Sequence, residues 1–322
     1  MRILVSKLII FIIFINFGFA QKPGKIKWTE SIVANRVKSQ TQWNYKYNKD
    51  GSVKKEGYKN FVKSYDNRGN VIEENYFRSG DLSQEIKYKY DNKENTIEYE
   101  NFKTSKKKML FKQNISYNND NNKIREERYN GSNYNIIKYK YNNKKELSEI
   151  IKYDQGYQIE QIRKFIYVGN ICTITVYNSN DVIIGKEVNK YDKDRNIIET
   201  IKYESNAKIK SKYVFTFDDN NKMLTKTEFA VGNFIYTEYY KYDKKNRLVK
   251  ILKEQPKGNI VVNNKYEYND EDFLIKELWY DDHPTEMSYR KYYYDNNNLL
   301  DKTEVYYALY KYRILYRYEY EY

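Results

Sequence analysis

The chain has 322 residues and a formal net charge of +14; 32% of it is charged, 17% is aromatic, and 39 residues are tyrosine. A single Cys (Cys172) and a single His (His283) exclude an intramolecular disulfide, a cysteine-based zinc site and any multi-histidine metal centre. Tyrosine carries much of the 40% apolar content, so the aliphatic core is thin.

The first twenty residues have the outline of a signal peptide. Arg2 and Lys7 make a basic start, Leu8 to Ile15 is an unbroken apolar run, and Gly18-Phe19-Ala20 supplies the small residues of a cleavage site. The run is far shorter than the ~20 residues of a membrane helix, so cleavage after Ala20 is expected, with no Cys behind it for a lipid anchor. Loss of residues 1–20 removes Arg2 and Lys7 and no acid, lowering the net charge from +14 to +12. Export without disulfides points to the periplasm, the outer cell surface or secretion. No later segment is apolar enough for a transmembrane helix.

Residues 21–44, with Trp28 and Trp43, read as an N-terminal cap on a repeat array that fills 45–322. The repeat is Y-x-Y-[D/N], with its second aromatic at Tyr47, Tyr65, Tyr90, Tyr117, Tyr141, Tyr167, Tyr191, Phe217, Tyr242, Tyr268, Tyr294 and Tyr318. From Tyr65 onward the steps are 24–27 residues, and ten of the twelve anchors are followed by Asp or Asn. Such a period is the signature of an array.

Each unit predicts a β-hairpin. In Tyr240 to Val249, alternating residues lead into Asp243, which can close an Asx turn, and aliphatic residues follow. Three residues after the Asp or Asn stand Gly51, Gly69, Asn121, Asn221, Asn246, Asp272 and Asn298, the residue types that tolerate a positive φ. A second turn falls half a period later, at Ser79-Gly80-Asp81, Asn130-Gly131, Gln155-Gly156, Ser179-Asn180-Asp181, Ser205-Asn206, Gly232-Asn233, Lys257-Gly258-Asn259 and His283-Pro284. Two turns per unit give two short strands. The predicted fold is therefore all-β: about eleven tandem hairpins in a curled antiparallel sheet or β-solenoid, with few helices.

These units resemble YD repeats of the RHS family. The family pattern Y-x-Y-D-x-x-G-R-L is nearly matched by Tyr240 to Leu248 with Asn246 in the Gly slot, while Tyr65 to Val71 keeps Gly69 and lacks the Arg. In large family members the resemblance implies a shell around a toxic C-terminal domain. Here Tyr316 to Tyr322 still follow the repeat, so the architecture is expected without the cargo.

Nine anchors have aromatics at both alternate positions, such as Tyr88/Tyr90 and Tyr292/Tyr294, which period 2 places on one sheet face. The residue before the anchor is Lys46, Lys89, Lys140, Lys190, Lys241 or Arg317 in six copies, a basic stripe on the opposite face. As an open surface, the ladder of Tyr90, Tyr141, Tyr191, Tyr242, Tyr268 and Tyr294 suits glycans or anionic envelope polymers; as a closed one it is the packing core. Another protein is the remaining class of partner. Export and the mixing of Lys with Glu, as in Glu85 to Lys89, argue against nucleic acid.

Asp281-Asp282-His283 is the one cluster of carboxylates with the histidine and the best catalytic candidate, but it falls half a period after Tyr268, where turn chemistry explains it completely, so no acid–base role is expected. Asp192 to Asn196 begins like a calcium loop, but Ile197 and Tyr203 stand where an EF-hand needs Gly and Glu. Glu73-Glu74 and Glu126-Glu127 fall on strands, where neighbours face opposite ways. Cys172 lies in an apolar strand as a packing residue. No cofactor or metal is expected. The sequence thus predicts an exported, non-enzymatic interaction scaffold. An accessory of an RHS-like toxin system is the alternative, and an outer-membrane barrel a minor one. Against the barrel, Glu238 interrupts Phe234, Tyr236, Tyr240 and Tyr242, and Asn264 interrupts Val262 and Tyr266.

Overall fold

The structure is a computed structural model that describes residues 25–281 and 285–322. The leader expected at 1–20 lies outside the described residues. Helix α1 (Lys25–Ala34) precedes twenty-two strands, and one short 3-10 turn lies at Thr104–Lys106. The first third of the wall is β1 (Ser39–Lys46), β2 (Tyr58–Tyr65), β3 (Val71–Arg78), β4 (Asp81–Tyr90), β5 (Thr96–Lys103), β6 (Lys108–Tyr117) and β7 (Lys123–Asn130). Next come β8 (Asn133–Tyr141), β9 (Leu147–Tyr153), β10 (Ile159–Val168), β11 (Ile171–Asn178), β12 (Ile183–Tyr191), β13 (Ile197–Tyr203), β14 (Ile209–Phe217) and β15 (Met223–Ala230). The wall ends with β16 (Asn233–Tyr242), β17 (Leu248–Glu254), β18 (Ile260–Tyr268), β19 (Leu274–Trp279), β20 (Ser288–Tyr294), β21 (Leu300–Tyr307) and β22 (Tyr312–Glu321).

Every strand pairs antiparallel with its chain neighbours, and β1 pairs with both β2 and β22. The sheet is therefore a closed barrel, not the open curled sheet or solenoid that the repeat suggested. The cause is visible at the anchors. A register shift of the β-bulge kind stands beside nine of them, from Ser64/Tyr65 to Tyr293/Tyr294. Each bulge bends and twists its strand in the same sense, and summed over the wall these bends bring the last strand to the first. The spacing of repeats reports one bend and not their total. Substantial packing runs only between ring neighbours. Twenty-two strands about 4.8 Å apart, tilted as barrel strands are, make a ring on the order of 40 Å across, wider than side chains can fill.

Turn chemistry follows the sequence closely. Gly51, Gly69, Asn121, Asn221, Asn246, Asp272 and Asn298 all adopt positive φ. Asp66, Asp91, Asp192, Asp218, Asp243 and Asp295 each accept two backbone N–H groups through Oδ1. Gly69 has a second constraint: at φ +80°, a Cβ there would stand 2.7 Å from the Val33 side chain of α1. The helix thus sits on the rim formed by the anchor turns. The segment expected to be a cap divides into this helix and the strand that closes the ring. Two anchors are also rephased. Tyr47 lies beyond β1 in an isolated bridge with Val53, and on β22 the anchor position belongs to Tyr320, one step beyond Tyr318, because Tyr320 makes the bond typical of the others.

The wall has two unlike faces. The anchor face points inward and is buried at Phe165, Cys172, Ile174, Phe215, Leu248, Tyr266, Leu274 and Tyr292. The outer face carries charge at mid-strand: Glu73, Lys87, Glu100 and Lys112 are successive cross-strand partners, as are Lys89 and Glu98. Glu73 and Glu127 face out while Glu74 and Glu126 are buried inside, as alternation requires. Tyr236, Glu238, Tyr240 and Tyr242, and likewise Asn264 and Tyr266, line the inside, so the polar interruptions that seemed to exclude a lipid-facing strand fall on the inner face, while bulges beyond Tyr236 and Asn264 turn Phe234 and Val262 outward. The outer face carries ion pairs at mid-strand, such as Lys89–Glu98 and Lys112–Glu100.

Candidate functional site

The inner face is built in tiers below the anchor rim. In the first tier, seven anchors use their hydroxyls alike. Tyr90, Tyr117, Tyr141, Tyr242, Tyr268, Tyr294 and Tyr320 donate to the carbonyls of Val71, Thr96, Lys123, Met223, Leu248, Leu274 and Leu300, at 2.7–3.2 Å. Each acceptor is the first residue of a strand one repeat earlier. This latch explains why the anchor is tyrosine rather than phenylalanine: the ring packs, and the hydroxyl ties one hairpin to the previous one. Each such bond contributes roughly 1 kcal/mol.

Of the six tyrosines expected to form a ladder, all lie in this tier, and five have hydroxyls committed to these carbonyls. Burial raises the phenol of every one, to about 12 at Tyr191, Tyr268 and Tyr294. Tyr294 also accepts the indole N–H of Trp28 at 2.7 Å, which fastens α1 to the ring.

The second and third tiers hold buried polar groups to which the sequence reading gave no role. Glu126 is fully buried and accepts from Arg128, Gln113, Lys123 and the Tyr139 hydroxyl. Burial pushes its carboxyl up, but Arg128, Lys123 and Tyr139 outweigh burial and hold it below the usual carboxylate range. Asn189 accepts from Thr200 at 2.6 Å and donates to Glu187 at 2.8 Å. Glu277 accepts from Tyr292 and Arg290. A signal for some of them was present. Lys63, Ile115 and Asn189 are the positions where the second aromatic of a pair is missing, and two of those three are polar insertions into the inner wall.

A cavity of about 300 Å³ lies where α1 covers the closing seam, bounded by Trp28, Ile32, Gln40, Lys63, Tyr65 and Tyr320. Its polar groups satisfy one another. The Tyr65 hydroxyl donates to Gln40 Oε1 at 3.1 Å, Gln40 Nε2 donates to the Tyr320 hydroxyl at 2.9 Å, and Gln42 Nε2 does the same to Tyr318. Lys63 stands 3.6 Å from Glu74. The arrangement latches β22 to β1 and β2, with amides replacing the aromatic pairs of the other hairpins.

The remaining candidates resolve simply. Asp281 accepts from the Ser288 hydroxyl, whose oxygen accepts the Ala308 N–H at 2.8 Å; Asp282, His283 and Pro284 lie outside the described residues. Asp192 closes an Asx turn. Cys172 is buried, and burial pushes its thiol up to about 11. Among the described residues there is no group of three or more His, Cys, Asp or Glu able to hold a metal, and no helix long and apolar enough to cross a membrane.

No family model matches the chain, and no curated protein matches it. Among solved structures, the crystal structure of TcdB2-TccC3 is similar at 14% identity and a TM-score of 0.31, over 79% of this chain and 14% of that one. A porin-like protein from Bacteroides uniformis is similar at 8% identity and a TM-score of 0.33, over 70% of this chain and 96% of that one. A porin-like protein from Bacteroides vulgatus is similar at 10% identity and a TM-score of 0.24, over 88% and 98%. The chain spans only a small part of the TcdB2-TccC3 chain. At such scores function rests on this chain's own residues.

Proposed function

We propose that the chain is an exported, non-enzymatic ring scaffold that works in water at the cell envelope or outside it, binding a partner on its wall. The observation that carries this reading is the charge on the outer face. A lysine or arginine facing lipid at mid-bilayer costs roughly 2–4 kcal/mol in a membrane barrel, and here Lys87, Lys89, Lys112, Arg125 and Lys140 stand on the outer wall of one sector alone, ion-paired with Glu85, Glu98, Glu100, Glu127 and Glu149. Export is supported by the leader pattern of residues 1–20, and the non-enzymatic part of the reading by inner polar groups that bond one another among the described residues, as at Glu126, Asn189 and Glu277.

An outer-membrane barrel is the second reading. The even, closed ring favours it, together with one aliphatic sector in which Ile166, Val168, Ile171 and Ile184 are 59, 71, 40 and 44% exposed. Sedimentation of the purified chain in detergent-free buffer separates the two. A single dispersed species supports the water-facing scaffold. Aggregation that only detergent relieves, with insertion into vesicles, overturns it.

A further inference from the structure

The outer wall is not uniform around the ring. Over β3 to β6 its rows alternate in sign, Glu73–Lys87–Glu100–Lys112. From β16 round through the seam to β2 like charges meet in several rows, although Glu267 pairs with Lys276 and Glu304 stands opposite Lys291. Lys241, Lys250 and Lys265 are direct cross-strand partners in one row. Lys276 stands opposite Lys291. Lys302 stands opposite Arg317, which is followed across the seam by Trp43 and then Lys59.

Like charges directly opposite one another destabilise a sheet, so these rows are a standing cost that the sector carries. Among the described residues, Lys241, Lys250, Lys265, Lys291, Lys302, Arg317 and Lys59 have no carboxylate partner within ion-pair distance. Several rest on rings instead: Lys302 on Tyr293 at 4.7 Å, Lys291 on Tyr289 at 5.0 Å, Arg317 on Tyr45 at 5.1 Å and Lys59 on Trp43 at 5.4 Å. Of the nearby acids, Glu254 accepts from Tyr239, Glu304 from Tyr289 and Tyr47, and Glu319 from Trp43, while Glu267 is ion-paired with Lys276. Aromatic rings thus seat several of the cations, and hydrogen-bond the acids in place of a direct ion pair.

We propose that this sector binds an extended acidic polysaccharide, its carboxylates lying along the cation rows. The proposal rests on the water-facing reading of the wall. From β16 to β2 the sector runs about 38 Å at ordinary strand spacing, which suits an extended polymer rather than a small anion. Single-stranded nucleic acid fits less well, because it gains much of its affinity by stacking bases on open rings, and here the rings already seat cations.

The test uses the full chain and polygalacturonate as the probe, with oligo(dT) as the competing polyanion. Two variants of equal charge change are compared: Lys250→Glu, Lys302→Glu and Arg317→Glu in the sector, and Lys87→Glu, Lys89→Glu and Lys112→Glu in the alternating wall. The sector variant is expected to bind polygalacturonate roughly tenfold more weakly or worse, the control to change little, and 0.5 M salt to abolish binding, as electrostatic capture requires. Equal weakening in both variants, no binding at low salt, or tighter binding of oligo(dT) overturns the proposal. If charge reversal prevents folding, the Gln versions of the same positions carry the test. A chain that needs detergent yet binds polygalacturonate through this sector would refute the water-facing reading and not the site.

Discussion

The inner and outer faces of the wall are made from the same repeat and behave oppositely. Inside, side chains of adjacent strands are buried against one another, hydroxyls are fixed to carbonyls, and a carboxylate such as Glu126 is completely enclosed by its partners. Outside, lysines and glutamates stand in solvent; Lys89 and Glu98 meet at 2.7 Å with 68 and 23% of their side chains exposed. Stability should therefore reside inside the ring and recognition outside it.

The sharpest way to break this comparison is Glu126→Ala. It leaves Arg128 and Lys123 without their buried counter-charge, and the loss should be about 3–5 kcal/mol, measured as a fall in the denaturation midpoint. Alkaline titration should come next. The inner phenols are raised in the folded ring, Tyr268 and Tyr294 to about 12 against an ordinary 10. Their contribution is complete below pH 10 and is lost as pH rises from 10 towards 12, because the unfolded chain releases protons that the ring retains. Thermal melts with tyrosinate absorbance should show stability falling in that window, and a flat profile would remove the claim that the phenols are buried. Tyr268→Phe, which removes one latch and keeps the ring, should cost about 1 kcal/mol. Lys112→Ala on the outer wall should change stability by less than about 1 kcal/mol; a larger effect than Tyr268→Phe would reverse the assignment of roles.

Much of this molecule was legible in its residues. The Asp and Asn of the turns, the left-handed positions at Gly69 and Asn246, and the same-face pairing of Tyr240 with Tyr242 all follow from local chemistry repeated in phase. Closure was not legible, because it is the sum of many small bends, and the partners of the seam, Gln40 and Tyr320, are 280 residues apart. Register, rather than sequence separation, hid the cation rows. Lys302 and Arg317 look like ordinary interleaved charges until the register places them opposite one another. The tyrosine ladder was visible as a pattern, but whether a pattern is surface or interior depends on which face the ring turns inward.

The most direct test of the water-facing wall is nitroxide labelling at Glu98, Lys140 and Lys250, one at a time, with relaxation measured in the presence of lipid vesicles. The account predicts that a water-soluble nickel reagent relaxes all three labels as strongly as one on a rim turn. Labels shielded from nickel and relaxed by oxygen would place the outer wall in lipid and contradict it.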